Sequence, residues 1–561
     1  MRFGVSASET LHQNLVKSVL KAPQSFFDTT PIGRILSRFS KDLYSIDIEL
    51  TDSFDFFLFC SLNVIISLST ILFVTPWFGV AIVPLAFFYF KVLNYFREVS
   101  RETKRLESIS RSPIYALFSE TLGGLSTIRA YGEAPRFVDD FESKVDENTK
   151  AYYNNKSADR WLSVRLELIG SLVAGLAAVF ATNVAISGTT SGRNSDDNFA
   201  SLAGLSLTLA ISITGLLNWC VRTFAQLEAA MNACERVLYY TDVIDQEAAS
   251  TSKELEDSYD PKAPGRGKNS GNDDKALLLS KPSQYAMMQS NGKAETLRDT
   301  WPDGGKIVLR DLHMKYRKET PLVLKGLNVT IEGGERIGVV GRTGSGKSSL
   351  LLTLLRLVEP TLLGEDGDII TGKPYEAPIE IDGVDILRIG LTELRTRIGI
   401  IPQNPVLFSG TIRSNIDPFQ EYSDESIRAA LVKCGMDKAV EEMPGELDAP
   451  VAEYGENLSA GMRQMLVLGR ALLRQCKILM LDEATSNVDL ETDQAIQRTI
   501  RNSFPGCTVL TIAHRVNTIM DSDKILVMKD GRVGEFAPPQ ELLANPDSAF
   551  ADIVRHAETS N

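Results

Sequence analysis

Four apolar stretches, at about 56–75, 77–95, 168–187 and 201–220, constrain this 561-residue chain more than any other feature. Each supplies about 20 residues of helix, the length that crosses a hydrocarbon layer. The first reads FFLFCSLNVIISLSTILFVT and the third LIGSLVAGLAAVFATNVAIS. A soluble helix this long and uniformly apolar is unusual, and four in one chain predict a helical membrane domain. The mean hydropathy of −0.05 hides them, because the apolar residues concentrate before about residue 240.

The polar segments set the expected topology. Spans one and two meet in a turn at Thr75-Pro76-Trp77. The polar stretch between spans two and three carries Arg97, Arg101, Lys104, Arg105, Arg111, Arg129, Arg136 and more, whereas the connection between spans three and four (SGTTSGRNSDDN) holds one Arg and two Asp. Basic residues favour the cytoplasmic side, which places both termini in the cytosol. Residues 97–165 keep helical periodicity, as do 10–55 apart from breaks at Pro23 and Pro31. At about 1.5 Å per residue, such helices run tens of ångströms beyond the membrane. The first twenty residues lack a continuous apolar run, so the start reads as the interior of a domain and not as a secretory signal.

Residues 246–300 are rich in Ser, Lys, Asp, Asn and Gly and read as a flexible linker. From about 301, short β runs alternate with helices, as in an α/β domain. The expected organisation is a membrane domain at 1–245, the linker at 246–300 and an α/β domain at 301–561. A net charge of −13 argues against nucleic acid as a partner. Cys60, Cys220, Cys234, Cys434, Cys476 and Cys507 are scattered and read as reduced, buried thiols.

Chemistry enters at Gly341-Arg342-Thr343-Gly344-Ser345-Gly346-Lys347-Ser348-Ser349, which matches G-x-x-x-x-G-K-[ST]. It follows the β run 336–340 and precedes an apolar helix, the context the motif requires. Glycines let backbone N–H groups wrap phosphates, and the helix start adds positive potential. Lys347 is expected on the β- and γ-phosphates and Ser348 on Mg²⁺. Further on, Ile478-Leu-Met-Leu-Asp482-Glu483 is an apolar strand ending in two acids. Asp482 is expected to hold Mg²⁺, and Glu483 to polarise the attacking water as general base.

Asn457-Leu-Ser459-Ala-Gly461-Met462-Arg-Gln464 stands just before that strand and resembles the signature sequence of ATP-binding-cassette (ABC) proteins, usually written LSGGQ. Gln403 in Ile-Pro-Gln-Asn-Pro resembles the family's Q-loop, Ser486-Asn-Val-Asp489 its D-loop and His514 its switch histidine; Tyr316 resembles the aromatic that stacks on adenine. These elements, in the family's order, cover about 301–561. The resemblance implies a P-loop NTPase domain using ATP and Mg²⁺, with Gln403 and His514 joining Glu483 in hydrolysis and Gln403 also near the metal. Ser459 can cap the helix that follows, whose start favours an anion. In the family that start faces ATP held by a second nucleotide domain, so Ser459 and Gly461 are expected to act in trans.

The membrane half resembles subfamily C, the multidrug-resistance-associated type. The resemblance lies in 25–36, Arg38–Asp42, Lys104–Pro113, Thr127–Tyr131 and Asp159–Arg165. The implied fold is a type-I exporter-like helical domain, incomplete at four spans, followed by the nucleotide domain. The chain then reads as the C-terminal part of a longer pump. It would work with a second ABC half, in cis or trans, in a lipid membrane, and export small molecules such as amphipathic organic anions or conjugates. Arg165, Trp219 and Arg222 are candidate substrate contacts, with Trp219 and Arg222 sharing a helix face, although anchoring of both arginines at the cytoplasmic interface is the slightly favoured reading. A channel or channel regulator, or a truncated chain that binds ATP without transport, are the competing readings. Two departures from the family pattern are Met462 in place of glutamine and an insertion at about 363–378, expected to be a surface loop.

Overall fold

The computed structural model describes residues 2–74, 78–190, 197–257, 293–295, 297–298, 300–317, 319–362, 376–484, 488, 490–513 and 518–559. They fall into two compact units. One comprises Met1–Leu20 and Pro31–Ile244; the other comprises Lys21–Thr30 and Asp245–Asn561.

The first unit is helical. Helices Arg2–Leu20, Gln24–Thr29 and Ile32–Ser37 are separated at the prolines that break the sequence periodicity, Pro23 and Pro31, although Gln24–Thr29 itself groups with the second unit. Four long helices follow, Thr51–Val74, Phe78–Gly123, Ala134–Thr190 and Asp197–Asp242. At about 1.5 Å per residue, the 57 residues of Ala134–Thr190 extend about 85 Å. Each of the four holds a window long and apolar enough to cross a membrane. The turn expected at 75–77 and residues 191–196 of the connection between the last two spans lie outside the described residues.

Packing follows the apolar faces. Thr51–Val74 and Ala134–Thr190 both lie against Asp197–Asp242, and Phe78–Gly123 lies against Ala134–Thr190. Ile71, Phe78, Phe96, Leu162, Leu166 and Ile213 form the interior. Outward-facing residues are also apolar, with Phe73 80% and Phe87 72% exposed. In water such a surface is a liability, whereas a hydrocarbon solvent accepts it. Asp42, 2% exposed, accepts from Arg236 at 2.5 and 3.1 Å and from Arg38, binding the segment after Ile32–Ser37 to the last long helix.

The second unit is α/β. A six-stranded sheet runs β12-β11-β3-β10-β9-β6, with β3 Arg336–Val340, β6 Ile398–Ile401, β9 Ile478–Asp482, β10 Thr508–Ile512, β11 Lys524–Lys529 and β12 Arg532–Ala537. Every pairing is parallel except β11 with β12. The parallel strands are nearly continuous runs of Ile, Val, Leu and Met, as burial on both faces requires. A smaller antiparallel sheet runs β2-β1-β4-β5, from β1 Ile307–Met314, β2 Leu324–Ile331, β4 Ile379–Ile381 and β5 Val384–Asp385. A third pairing joins β7 Gly410–Thr411 to β8 Pro450–Val451.

The described ends of the expected flexible linker are docked. Leu391 N–H donates to Ala249 O at 3.0 Å and Thr392 N–H to Ser250 O at 2.9 Å, while Glu295 N–H donates to Arg388 O at 3.0 Å. Residues 258–292 lie outside the described residues, as do 363–375 of the expected insertion loop.

Leu479 is fully buried in β9, between Val509 of β10 and Gly399 of β6. Leu479→Ala is expected to lower the opening free energy of β9 amides by about 2–5 kcal/mol in hydrogen exchange.

Candidate nucleotide site

Parallel strands present their carboxyl ends along one edge of a sheet, where α/β folds bind ligands. Here β3 ends at Val340, directly before Gly341, and β9 at Asp482, with β10 between them. A Cβ on Gly341 would meet Met528 O at 2.3 Å and Ser345 Oγ at 2.6 Å, so no side chain fits. Gly346, at φ +100°, caps the helix Lys347–Leu354 in a conformation that disfavours other residues. Between them Arg342, Thr343 and Gly344 form an exposed tip, and Ser345 turns inward.

Lys347 Nζ donates to Gly341 O at 2.8 Å and Arg342 O at 3.2 Å, across the mouth of the loop. Burial pulls its pKa down, against the nearby charges of Glu483 and Asp482. Ser348 Oγ donates to Asp482 Oδ1 at 3.1 Å, and Gln403 Nε2 donates to Glu483 Oε2 at 2.7 Å. Burial pushes the Asp482 carboxyl above the usual carboxylate range; Glu483 adds to this, while the Ser348 hydrogen bond and Lys347 oppose it. Glu483 is left-handed at φ +48° with its N–H on Ile512 O at 3.0 Å, so the chain turns sharply between the two acids. Strain of this kind concentrates at functional positions.

These residues suit a magnesium nucleotide. Ser345 Oγ is buried with no hydrogen-bond partner among the described residues, inside a loop shaped for close backbone approach. Among the described residues no cluster of three or more His, Cys, Asp or Glu side chains could hold a metal alone. Mg²⁺ takes one or two protein oxygens and completes its shell with phosphate and water, and Ser348 Oγ and Asp482 Oδ1, 3.1 Å apart, could serve as such oxygens.

Other expected residues occupy separate places. Tyr316 OH lies 2.8 Å from Ser349 Oγ, beside the start of the phosphate helix, and packs against the core that contains Leu350 and Leu354. Ser459 caps the helix Ala460–Arg474 by accepting from Met462 N–H at 3.2 Å, and Gly461 lies against Thr492. His514, Ser486 and Asp489 lie outside the described residues. In the membrane unit, Trp219 meets Phe56 edge-on at 5.6 Å in a cleft of about 510 Å³ that Asp52 and Asp55 also line. Arg222 instead donates to Ser163 Oγ at 2.8 Å, and Arg165 sits over the Trp161 ring at 4.1 Å. The shared helix face therefore does not bring Trp219 and the arginines to one site.

Gln464 was not singled out from sequence as a site residue. It is 2% exposed and donates to Pro402 O at 3.3 Å, holding the residue before Gln403. The available signal was an amide placed directly before the apolar run Met465–Leu468.

A family description, ABC transporter transmembrane region, matches residues 1–211, and a second, ABC transporter, matches 324–486. The chain belongs to the ABC transporter family. ABC transporter C family member 8 of Dictyostelium discoideum is 41% identical over 560 residues, which is 100% of this chain and 31% of that protein. ATP-binding cassette sub-family C member 3 of Mus musculus is 42% identical over 540 residues, 96% of this chain and 31% of that protein. Metal resistance protein YCF1 of Saccharomyces cerevisiae is 40% identical over 558 residues, 99% of this chain and 33% of that protein. This ABC chain thus spans about a third of the length of the curated relatives it matches.

Because the Asp482 proton is held more tightly than on an ordinary aspartate, acid competes with metal at higher pH. Mg²⁺-dependent nucleotide affinity is expected to fall as pH drops through this raised pKa, and Asp482→Asn to remove that acid limb, in titrations with and without Mg²⁺. Gly341→Ala is expected to weaken nucleotide binding by about tenfold or more, read in the same titrations.

Proposed function

We propose that this chain forms the ATP-hydrolysing part of a membrane exporter of small molecules, with its nucleotide unit in the cytosol. The carrying observation is the convergence of Lys347, Ser348, Asp482, Glu483 and Gln403 at the carboxyl edge of one parallel sheet. Lys347 is placed to neutralise phosphate oxygens once it exchanges the Gly341 and Arg342 carbonyls for them. Mg²⁺, when bound, neutralises phosphate charge and orients the terminal group. Glu483 is positioned to accept a proton from an attacking water, with Gln403 orienting its carboxylate. We assign Tyr316 to the base, Gly341–Ser349 to the phosphates, and His514 to the terminal phosphate.

Ser459 and Gly461 sit at the start of a 15-residue helix, a place that favours an anion. We assign them to nucleotide held by a second ABC half, so that two cassettes close on ATP and separate after hydrolysis. The four apolar helices carry the solute path. We assign amphipathic organic anions or conjugates as the exported class, following the resemblance of the membrane half to subfamily C.

Glu483→Gln removes the proton acceptor and leaves the phosphate loop intact. Turnover in a phosphate-release assay is expected to fall by about 10²–10⁴-fold while Mg–ATP affinity is retained. Hydrolysis at the unmodified rate removes Glu483 from the base role.

A further inference from the structure

The far end of the phosphate helix carries an arrangement that nucleotide binding alone does not require. Lys347–Leu354 ends at Leu355, and Arg356 turns left-handed at φ +50°. The last carbonyls of a helix lack intrahelical partners and carry partial negative charge. Arg395 fills that need, donating from Nε to Leu355 O at 3.0 Å and from Nη2 to Arg356 O at 2.7 Å. The same guanidinium grips Glu247 in two parallel hydrogen bonds of 2.8 and 2.9 Å. The two side chains are 27% and 21% exposed, so water screens the pair only in part.

Glu247 follows the last long membrane helix by five residues, since that helix ends at Asp242. Its own N–H donates to Lys21 O at 2.7 Å, just after the first helix ends at Leu20. The next residues pack against Gly390–Glu393 within the same unit. Ala249 and Ser250 carbonyls accept from Leu391 and Thr392, and Ser252 hydrogen-bonds through its backbone and side chain to Glu393. The approach is so close that a Cβ on Gly390 would stand 2.4 Å from Thr251 Cα. Gly390 has an ordinary φ of −68°, so its glycine serves this contact and not a turn.

We propose that the Glu247–Arg395 pair is a latch. It ties the chain leaving the last membrane helix, and the chain leaving the first, to the carbonyl end of the phosphate helix. Nucleotide engaging the amino end of that helix, at Lys347, is thereby transmitted to the docking of residues 247–252. Arg395 and Glu247 are positioning residues that touch no phosphate. The inference rests on the nucleotide site proposed above.

Hydrogen exchange of the full chain in membranes, with and without Mg–ATP, tests it, alongside direct measurement of Mg–ATP affinity. In the unmodified chain, Mg–ATP is expected to slow exchange at the amides of Glu247, Leu391 and Thr392 by about tenfold. Glu247→Gln and, independently, Gly390→Ala are expected to abolish that response while Mg–ATP affinity changes by no more than about threefold; Glu247→Asp, which keeps the carboxylate, is expected to restore part of it. Binding of Mg–ATP without any response in the unmodified chain overturns the latch alone, and so does an undiminished response in Glu247→Gln. Failure to bind Mg–ATP at all overturns the nucleotide site and the latch with it.

Discussion

The ammonium of Lys347, drawn across the loop to the Gly341 and Arg342 carbonyls, is the group around which the nucleotide unit is organised. Reaching that position requires a backbone that turns back on itself where no side chain fits, at Gly341 against Met528. It also requires a helix that begins at Lys347 and a sheet that delivers two carboxylates to the same edge. The six-stranded sheet meets the last requirement through strand order, since β9 runs parallel to β3 across β10. Burial then weakens the Lys347 proton and strengthens the Asp482 proton, while their mutual attraction opposes both shifts. A half-buried cation beside two acids, in a loop whose Ser345 hydroxyl has no hydrogen-bond partner among the described residues, suits a polyanion and a hard metal.

Much of this was legible in the chain. The phosphate loop declares itself because its glycines are demanded by backbone geometry, and the β run and apolar helix around it are demanded by the fold. Ser459 was legible as a cap because a serine before a helical stripe has one common use. The membrane helices were legible because their apolar surface faces outward as well as inward, which removes the periodicity of a soluble helix.

What escaped depends on contacts distant in sequence. Composition at 246–257 is that of a solvated linker, yet the segment docks because Gly390 leaves it room and Arg395 offers a partner some 148 residues away. Lys21–Thr30 groups with the nucleotide unit, and Lys21 O accepts from Glu247 N–H at 2.7 Å, again a contact distant in sequence. Spacing placed Trp219 and Arg222 on one helix face. The neighbours of that helix then drew them apart, Trp219 to Phe56 and Arg222 to Ser163. Local pattern sets which residues share a face; tertiary packing sets what each of them meets.

Isothermal titration of the full chain with Mg–ATP, beside Lys347→Ala, tests the central claim most directly. The account predicts saturable binding to the unmodified chain that weakens by about tenfold or more without the lysine. Equal affinity in the two would contradict it.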